Sequence, residues 1–318
     1  IGLTPDAICT AIAGLGEQPY RGKQIAKWLY EKKCADLARM TDLAKPLREK
    51  LASQFSFQTA RIAATDHDQE NTTKLALRFP DGAIIESVLM FEDNRGPDDD
   101  ERRTLCVSTQ AGCAMGCRFC ASGQKGLKRN LTTAEILEQF YAAAAAMKTG
   151  EWLTNVVFMG MGEPLHNWEN FVGALRAITS PWGFNMSPRR ITVSTVGMAP
   201  RIHELAKLDI PVHLAVSLHA PNDTVRDELI PTNKAFGGIV SILDAARDYY
   251  RETRRQVTFE YTLVRGINDK PEHARELAKL VQSRLPGSNI NLIPMNPVDG
   301  SGLKTPDTAA VEVFAEIL

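Results

Sequence analysis

"TLCVSTQAGCAMGCRFCASGQKGLKRNLT", residues 104–132, decides how the rest of the chain is read. It opens with the strand-like run "TLCVST" and passes into a loop rich in sulfur. Cys106, Cys113, Cys117 and Cys120 are four of the chain's six cysteines, all within fifteen positions. From here the chain alternates. The runs "NVVFMG" (155–160), "RITVST" (190–195), "HLAVSL" (213–218), "VTFEYTLV" (257–264) and "NINLIP" (289–294) read as further strands. Between them lie helical patterns such as "TAEILEQFYAAAAAMKT", "PRIHELAKL", "IVSILDAARDYYRE" and "PEHARELAKLVQSRL". Six βα units in series imply an α/β fold whose parallel sheet, wound with right-handed crossovers, curls into an open (βα)6 partial TIM-type barrel. Function in such folds sits at the C-terminal ends of the strands, which is where the cysteine loop falls.

Upstream of this core the period changes twice. Residues 1–55 are helical: "TPDAICTAIAGLG" has Thr4 as N-cap and Pro5 at the first helical position, and "YRGKQIAKWLYEKK" and "LAKPLREKLASQF" supply two more short helices. Residues 56–101 hold "TKLALRF" and "AIIESVLMF" around Pro80-Asp81-Gly82, a β-hairpin, and then an acidic linker ending in Asp-Asp-Asp-Glu (98–101) that reads as an exposed loop. Residues 102–318 form the core.

Composition narrows the class. With 318 residues, 44% apolar and 24% charged, the chain can bury a substantial core. No apolar run approaches a membrane span, and residues 1–30 lack the order of a signal peptide, so the chain reads as cytoplasmic. The start at Ile1 rather than Met implies a missing N-terminal piece. A net charge of −1 and a pI near 6.7 argue against a protein that coats nucleic acid indiscriminately. Local basic clusters remain at Arg21, Lys23, Lys27, Lys32 and Lys33, at Lys125, Lys128 and Arg129, and at Arg251, Arg254 and Arg255. Each is either a phosphate contact or a solvated face.

Cys113, Cys117 and Cys120 are spaced CxxxCxxC. Disulfides are disfavoured in a cytoplasmic chain, and structural zinc usually draws on two paired knuckles with a fourth ligand, for which only the strand residue Cys106 is at hand. Three thiolates suit an iron-sulfur cluster that leaves one iron without a protein ligand and so open to a substrate.

CxxxCxxC with Phe119 before the last cysteine, after the first strand of a βα barrel, resembles the radical S-adenosylmethionine (SAM) enzymes. The resemblance implies a 4Fe-4S cluster on Cys113, Cys117 and Cys120, and reductive cleavage of SAM bound at the open iron. "GMGEP" (160–164) is similar to that family's glycine-glutamate element, with Gly162 and Glu163 at the SAM amino group. "RTLCVSTQAGCAMGCRFC", "KRNLT", "VVFMGMGEPL", "RRITVST", "SLHAPND" and "INLIPMNP", with the N-terminal "PYRGKQIAKWLY" and "MTDLAKPLR", narrow the resemblance over nearly the whole chain to the RlmN and Cfr RNA adenine methyltransferases, with the N-terminal match leaning to RlmN.

That branch implies methylation of carbon 2 of an adenosine in 23S rRNA, and in some bacteria of a tRNA adenosine; the Cfr branch implies carbon 8. Either carbon lies between ring nitrogens and is too electron-poor to attack the SAM methyl group, hence the radical route. The resemblance implies two SAM per turnover, a methyl-carrying cysteine, a covalent protein-RNA adduct, an external electron donor and a second cysteine that releases the product. Alternatives in other classes are a different radical SAM enzyme, such as a glycyl-radical activase, and a noncatalytic iron-sulfur RNA-binding protein.

Residue by residue, Cys106 matches the releasing cysteine, against a small buried hydrophobe. Glu86 matches a proton acceptor, against a surface residue of the hairpin. Ser194, Ser217, Leu218, His219 and Asn296 match SAM contacts, against turn and strand-end residues. Cys9 and Cys34 match nothing and read as packing residues. The family's methyl-carrying cysteine lies near the C-terminus, yet no cysteine follows Cys120, and the sequence stops inside an amphipathic pattern, "TAAVEVFAEIL"; truncation is the expectation, and loss of methyl transfer the alternative.

Overall fold

The computed structural model describes residues 1–68, 71–92, 102–148 and 150–318; the acidic run 98–100 and Glu101 lie outside them. The strands are β1 (Arg61–His67), β2 (Thr72–Arg78), β3 (Ile84–Glu92), β4 (Arg102–Cys106), β5 (Gln110–Gly112), β6 (Leu127–Asn130), β7 (Asn155–Phe158), β8 (Ile191–Thr195), β9 (His213–Ser217), β10 (Val257–Leu263) and β11 (Asn289–Pro294). The helices are α1 (Pro5–Gly14), α2 (Pro19–Ala26), α3 (Lys45–Gln54), α4 (Ala121–Gln124), α5 (Thr133–Ala145), α6 (Trp168–Thr179), α7 (Ala199–Ala206), α8 (Asp223–Leu229), α9 (Gly238–Thr253), α10 (Pro271–Arg284) and α11 (Thr308–Ile317). The chain divides into two compact units: residues 1–108, 131–156 and 169–187 form the first, and 109–130, 157–168 and 188–318 the second.

In the first unit α1 starts where its sequence predicts. Thr4 accepts from the Ala7 N–H at 3.2 Å and Pro5 opens the helix. Gly22 of α2 lets that helix lie on α1, since a Cβ there would stand 2.5 Å from the Cys9 Cα; Cys9 is a packing residue, as is the buried Cys34. The hairpin β2–β3 is antiparallel, turning at Gly82 with φ +80, and it is extended by β4 on one side and β1 on the other. β1 breaks the expected pattern: its residues are exposed along the whole strand, so no alternation marks it in the sequence. Ser87, whose side chain lies on the face of β3 buried with Ile85 and Leu89, bonds to Gln139 of α5, and α5 carries a reciprocal Thr132–Glu135 capping box. An aromatic core gathers on Phe184, with Phe140, Trp152 and Tyr141 rings at 5.1, 5.5 and 5.9 Å.

The second unit carries the parallel strands. β8, β9, β10 and β11 pair in parallel and in chain order, the winding of an α/β sheet. Val193, Leu214, Val216, Phe259 and Tyr261 are buried, and Tyr261 packs on Phe314 of α11 at 5.1 Å. The alternate positions are Thr192, Ser194, Ser217, Thr258 and Glu260, with the buried Ala215 among them. Parallel strands are ordinarily apolar on both faces. Among the described residues no helix is long and apolar enough to cross a membrane.

Candidate active site

The cysteine loop is shaped by its glycines and by a short hairpin absent from the sequence reading. β5 and β6 pair antiparallel, and Gly112, at φ +78, passes so close to the Gly126 carbonyl that a Cβ would sit 1.9 Å from the oxygen. The Cys113 N–H donates to that same carbonyl at 3.1 Å. Cys120 N–H donates to the Cys117 carbonyl at 3.1 Å and precedes α4, so the backbone turns the two cysteines toward one region. Cys113 lies in an apolar cluster with Met115, Val196, Leu229, Ile230, Val264 and Met295, against which Cys117 and Phe119 pack.

Burial pushes the Cys113 thiol up to about 11 and the Cys117 thiol up to about 12; the charges of the neighbouring cysteines and of Glu163 add to both, and Arg226 opposes the rise at Cys117. Thiols held in each other's field ionise together only beside a cation. Among the described residues no three or more His, Cys, Asp or Glu side chains are arranged for one metal ion. Three thiols without a protein fourth ligand fit a cluster with one open iron better than a zinc tetrahedron.

Glu163 follows Gly162 in the loop after β7. Gly162 has φ +101, and a Cβ there would stand 2.5 Å from the Gln110 Cβ, so only glycine lets this loop close on β5. Gln110, which the sequence reading missed, is fully buried; its Oε1 accepts from Glu163 N–H at 2.9 Å and its amide reaches Asn130 and His166. Thr109 and Gln110 N–H both donate to the Met161 carbonyl, and Asn167 donates to the Thr109 carbonyl. The Glu163 carboxylate accepts from Val196 N–H at 2.8 Å and Leu165 N–H at 3.1 Å. Burial pushes its pKa up to about 7 despite those bonds.

The ends of β8 and β9 bring Ser194 and Ser217 together, with their Oγ atoms 3.5 Å apart. Leu218 and His219 N–H both donate to the Glu260 carbonyl at 3.1 Å, and His219 takes a left-handed φ of +57. Thr262 N–H donates to His219 Nδ1 at 2.9 Å, so the imidazole proton sits on Nε2. Burial, reinforced by the Arg226 charge, pushes its pKa down to about 3, which keeps the ring neutral. Phe119 meets that ring edge-on at 4.7 Å. Asn296 is exposed just beyond the buried Met295, whose N–H donates to the Leu263 carbonyl. Next to Ser217 in register stands Glu260, also missed, whose Oε2 accepts from Asn291 at 2.7 Å.

Glu86 and Cys106 belong to the first unit. Cys106 pairs with Val88, two residues along β3 from Glu86, so all three share one face of the antiparallel sheet. That face is the open one: Glu86 is exposed in a 3.8 Å ion pair with Lys74, and Cys106 is half-buried rather than sealed in the core.

Residues 107–279 match the radical SAM superfamily, and residues 1–56 match the ribosomal RNA large subunit methyltransferase N-terminal domain. The chain belongs to the RlmN family of radical SAM enzymes. It is 45% identical over 95% of its length to a probable dual-specificity RNA methyltransferase RlmN of Rhodopirellula baltica, covering 79% of that protein. It is 43% identical over its full length to the Moorella thermoacetica protein of the same name, covering 89% of it. A radical SAM methyltransferase structure from Sphaerobacter thermophilus superposes with a TM-score of 0.92 at 42% identity, over 100% of this chain and 91% of that one. Membership establishes the α/β fold and an RNA methyltransferase that works with a 4Fe-4S cluster and SAM.

Proposed function

We propose that the protein is a cytoplasmic RlmN-type enzyme that methylates carbon 2 of an adenosine in 23S rRNA, and of tRNA as a second substrate, using two SAM per turnover and an external electron donor. The dual-specificity RlmN name of its relatives supports carbon 2 and the second substrate over the carbon 8 reading. Residues 1–55 act as the RNA-binding module, 56–101 as hairpin and linker, and 102–318 as the radical SAM core.

The observation that carries the reading is the junction of the cysteine loop with Glu163 and the two serines. Cys113, Cys117 and Cys120 hold the cluster, which when bound supplies the electron for SAM cleavage. Glu163, buried and short of a counter-charge, accepts from the SAM ammonium, which would lower its raised pKa. Gly162 gives the backbone close approach. Ser194, Ser217 and the Nε2–H of His219 offer hydrogen bonds along the strand ends, Leu218 fixes the turn between them, and Asn296 closes the site from the loop after β11. Cys106 releases product: its thiolate bonds to the methyl-carrying sulfur, the carbon-sulfur electron pair passes to the methylene carbon, which takes up a proton from water to become the methyl group, and the external electron donor reduces the disulfide left behind. Glu86, open to water on the same sheet face, takes the proton from the adenine carbon. The methyl-carrying cysteine is not among the six cysteines of these 318 residues.

Anaerobic reconstitution with iron and sulfide, then SAM and dithionite, tests the core of this reading. The expected result is about four iron atoms per chain and 5'-deoxyadenosine. Iron-loaded protein that leaves SAM intact would return the chain to an RNA-binding role. In a protein that carries the methyl-bearing cysteine, Cys106→Ala should accumulate protein joined covalently to RNA, and free methylated RNA at parental yield would remove Cys106 from the mechanism.

A further inference from the structure

Arg226 is the most deeply buried charge in the second unit, 0% exposed, and nothing in its local sequence sets it apart from the solvent-facing residues of α8. Its Nε donates to the Leu218 carbonyl at 3.0 Å. One Nη donates to the Ser217 carbonyl at 3.0 Å and to the Val196 carbonyl, and the other donates to the Asn233 side chain. Those carbonyls lie at the ends of β8 and β9, beside the Val196 N–H that Glu163 accepts. One guanidinium therefore ties together the two strand ends that the proposed function assigns to SAM.

Among the described residues no carboxylate touches Arg226 or makes a salt bridge to it; Asp223 and Asp227 act on it through their charges at longer range and are linked to it by Asn233, whose amide donates to both at 2.8 Å. A buried cation without an anion in contact costs several kcal/mol, roughly, unless one is supplied. The segment that carries it is docked on the cysteine loop: Arg118 N–H donates to the Leu229 carbonyl at 3.0 Å, and Leu229 and Ile230 pack with Cys113 and Met115. The field of Arg226 is also felt at Cys117.

Resting on the cluster reading above, we propose that Arg226 is the buried charge partner of the thiolate-bound cluster and at the same time the clamp that sets the SAM-facing strand ends. It is a positioning residue. The charge raises the cluster's reduction potential, because a fixed cation in a low-dielectric site favours the state with one more electron. The fork holds Ser217 and Leu218 in place, because it satisfies three carbonyls in one plane as no ammonium can.

The two roles separate by substitution. Arg226→Gln removes the charge, and Arg226→Lys keeps the charge but loses the fork. In reconstituted full-length protein, an EPR-monitored redox titration should give a midpoint potential more negative than the parent for Arg226→Gln and near the parent for Arg226→Lys. SAM affinity, measured at equilibrium without reductant, should fall about tenfold or more in both. Asn233→Asp, which places a carboxylate on the guanidinium and gives up the two hydrogen bonds that Asn233 donates to Asp223 and Asp227, should shift the potential in the same direction as Arg226→Gln; it serves if Arg226→Gln does not fold. Parental potentials in Arg226→Gln and Asn233→Asp would overturn the charge partnership, and parental SAM affinity in Arg226→Lys would overturn the clamp. A parent that takes up no iron would instead sink the cluster reading itself.

Discussion

Glu163 and Glu86 are the two carboxylates the sequence marks out, and their surroundings are opposites. Glu163 is 4% exposed, takes backbone N–H bonds on both oxygens and stands where its pKa rises to about 7. Glu86 lies on an open sheet face with its side chain 53% exposed and one loose ion pair to Lys74. The first is held rigid and short of a cation, as a ligand-binding group should be. The second is wet. The contrast teaches that these strand ends are prebuilt by hydrogen bonds made before any ligand arrives, whereas the β3–β4 face is built mainly by strand pairing and leaves the Glu86 side chain exposed.

The largest effect tests the prebuilt side. Cys117→Ala should abolish cluster assembly, while Cys9→Ala and Cys34→Ala, each in ordinary packing, should retain about four iron atoms per chain, read by iron assay and absorbance. Equal iron in all three would erase the distinction between the loop and the packing cysteines. Next comes Gly162→Ala. A methyl group 2.5 Å from Gln110 at φ +101 should cost roughly 3 kcal/mol in urea unfolding and lower SAM affinity more than tenfold. An unaltered midpoint would mean that Gln110 gives way freely and that the junction is softer than its bonds imply.

What the sequence made legible, and what it hid, follows the same division. The parallel strands and their helices read correctly from short β-branched runs between helical patterns, because those signals are local. The cysteine loop and "GMGEP" stood out in the sequence because a motif places its residues on one turn. Gln110, Arg226 and Asn233 were hidden. Gln110 looks like one more polar residue in a loop, and its partners Glu163, Asn130 and His166 lie 53, 20 and 56 positions away. Arg226 sits in "DTVRDEL", a stretch whose charges all suggest solvent, and only strand ends 8 to 30 positions upstream turn it inward. β1 and the β5–β6 hairpin were missed because one is exposed throughout and the other is three to four residues long.

The pH dependence of the metal-free protein sharpens the comparison from the side of Glu163. A carboxyl whose pKa rises from its ordinary 4.5 to about 7 on folding binds more protons folded than unfolded between those values. Its stabilising contribution is therefore full below about pH 4.5 and is lost as pH rises through 7, by up to about 3 kcal/mol. Urea unfolding at pH 5 and pH 8 should show the parent losing more stability than Glu163→Gln, which carries no titrating proton. Parallel losses in the two proteins would assign the slope to other buried acids, such as Glu138 and Glu260, whose pKa values burial also raises.

Glu86→Gln should have the smallest effect on the fold and for that reason discriminates best. Removing one charge of an exposed 3.8 Å pair costs a few tenths of a kcal/mol at most, since water and salt already screen it and both side chains regain freedom. Gln keeps the shape, so β3 should pair as before and Ser108 should still bond the Glu86 carbonyl. If Glu86 takes the proton from adenine, the full-length enzyme should lose about 100-fold or more in methylation rate with iron content, SAM affinity and unfolding midpoint unchanged, because an amide accepts no proton at neutral pH. Charge reversal at the partner, Lys74→Glu, should leave the rate within a few-fold, since the pair is structural decoration on an open face. Should Glu86→Gln methylate at the parental rate, the carboxylate is a surface residue of the hairpin, and the proton leaves the adenine carbon to another base or to water.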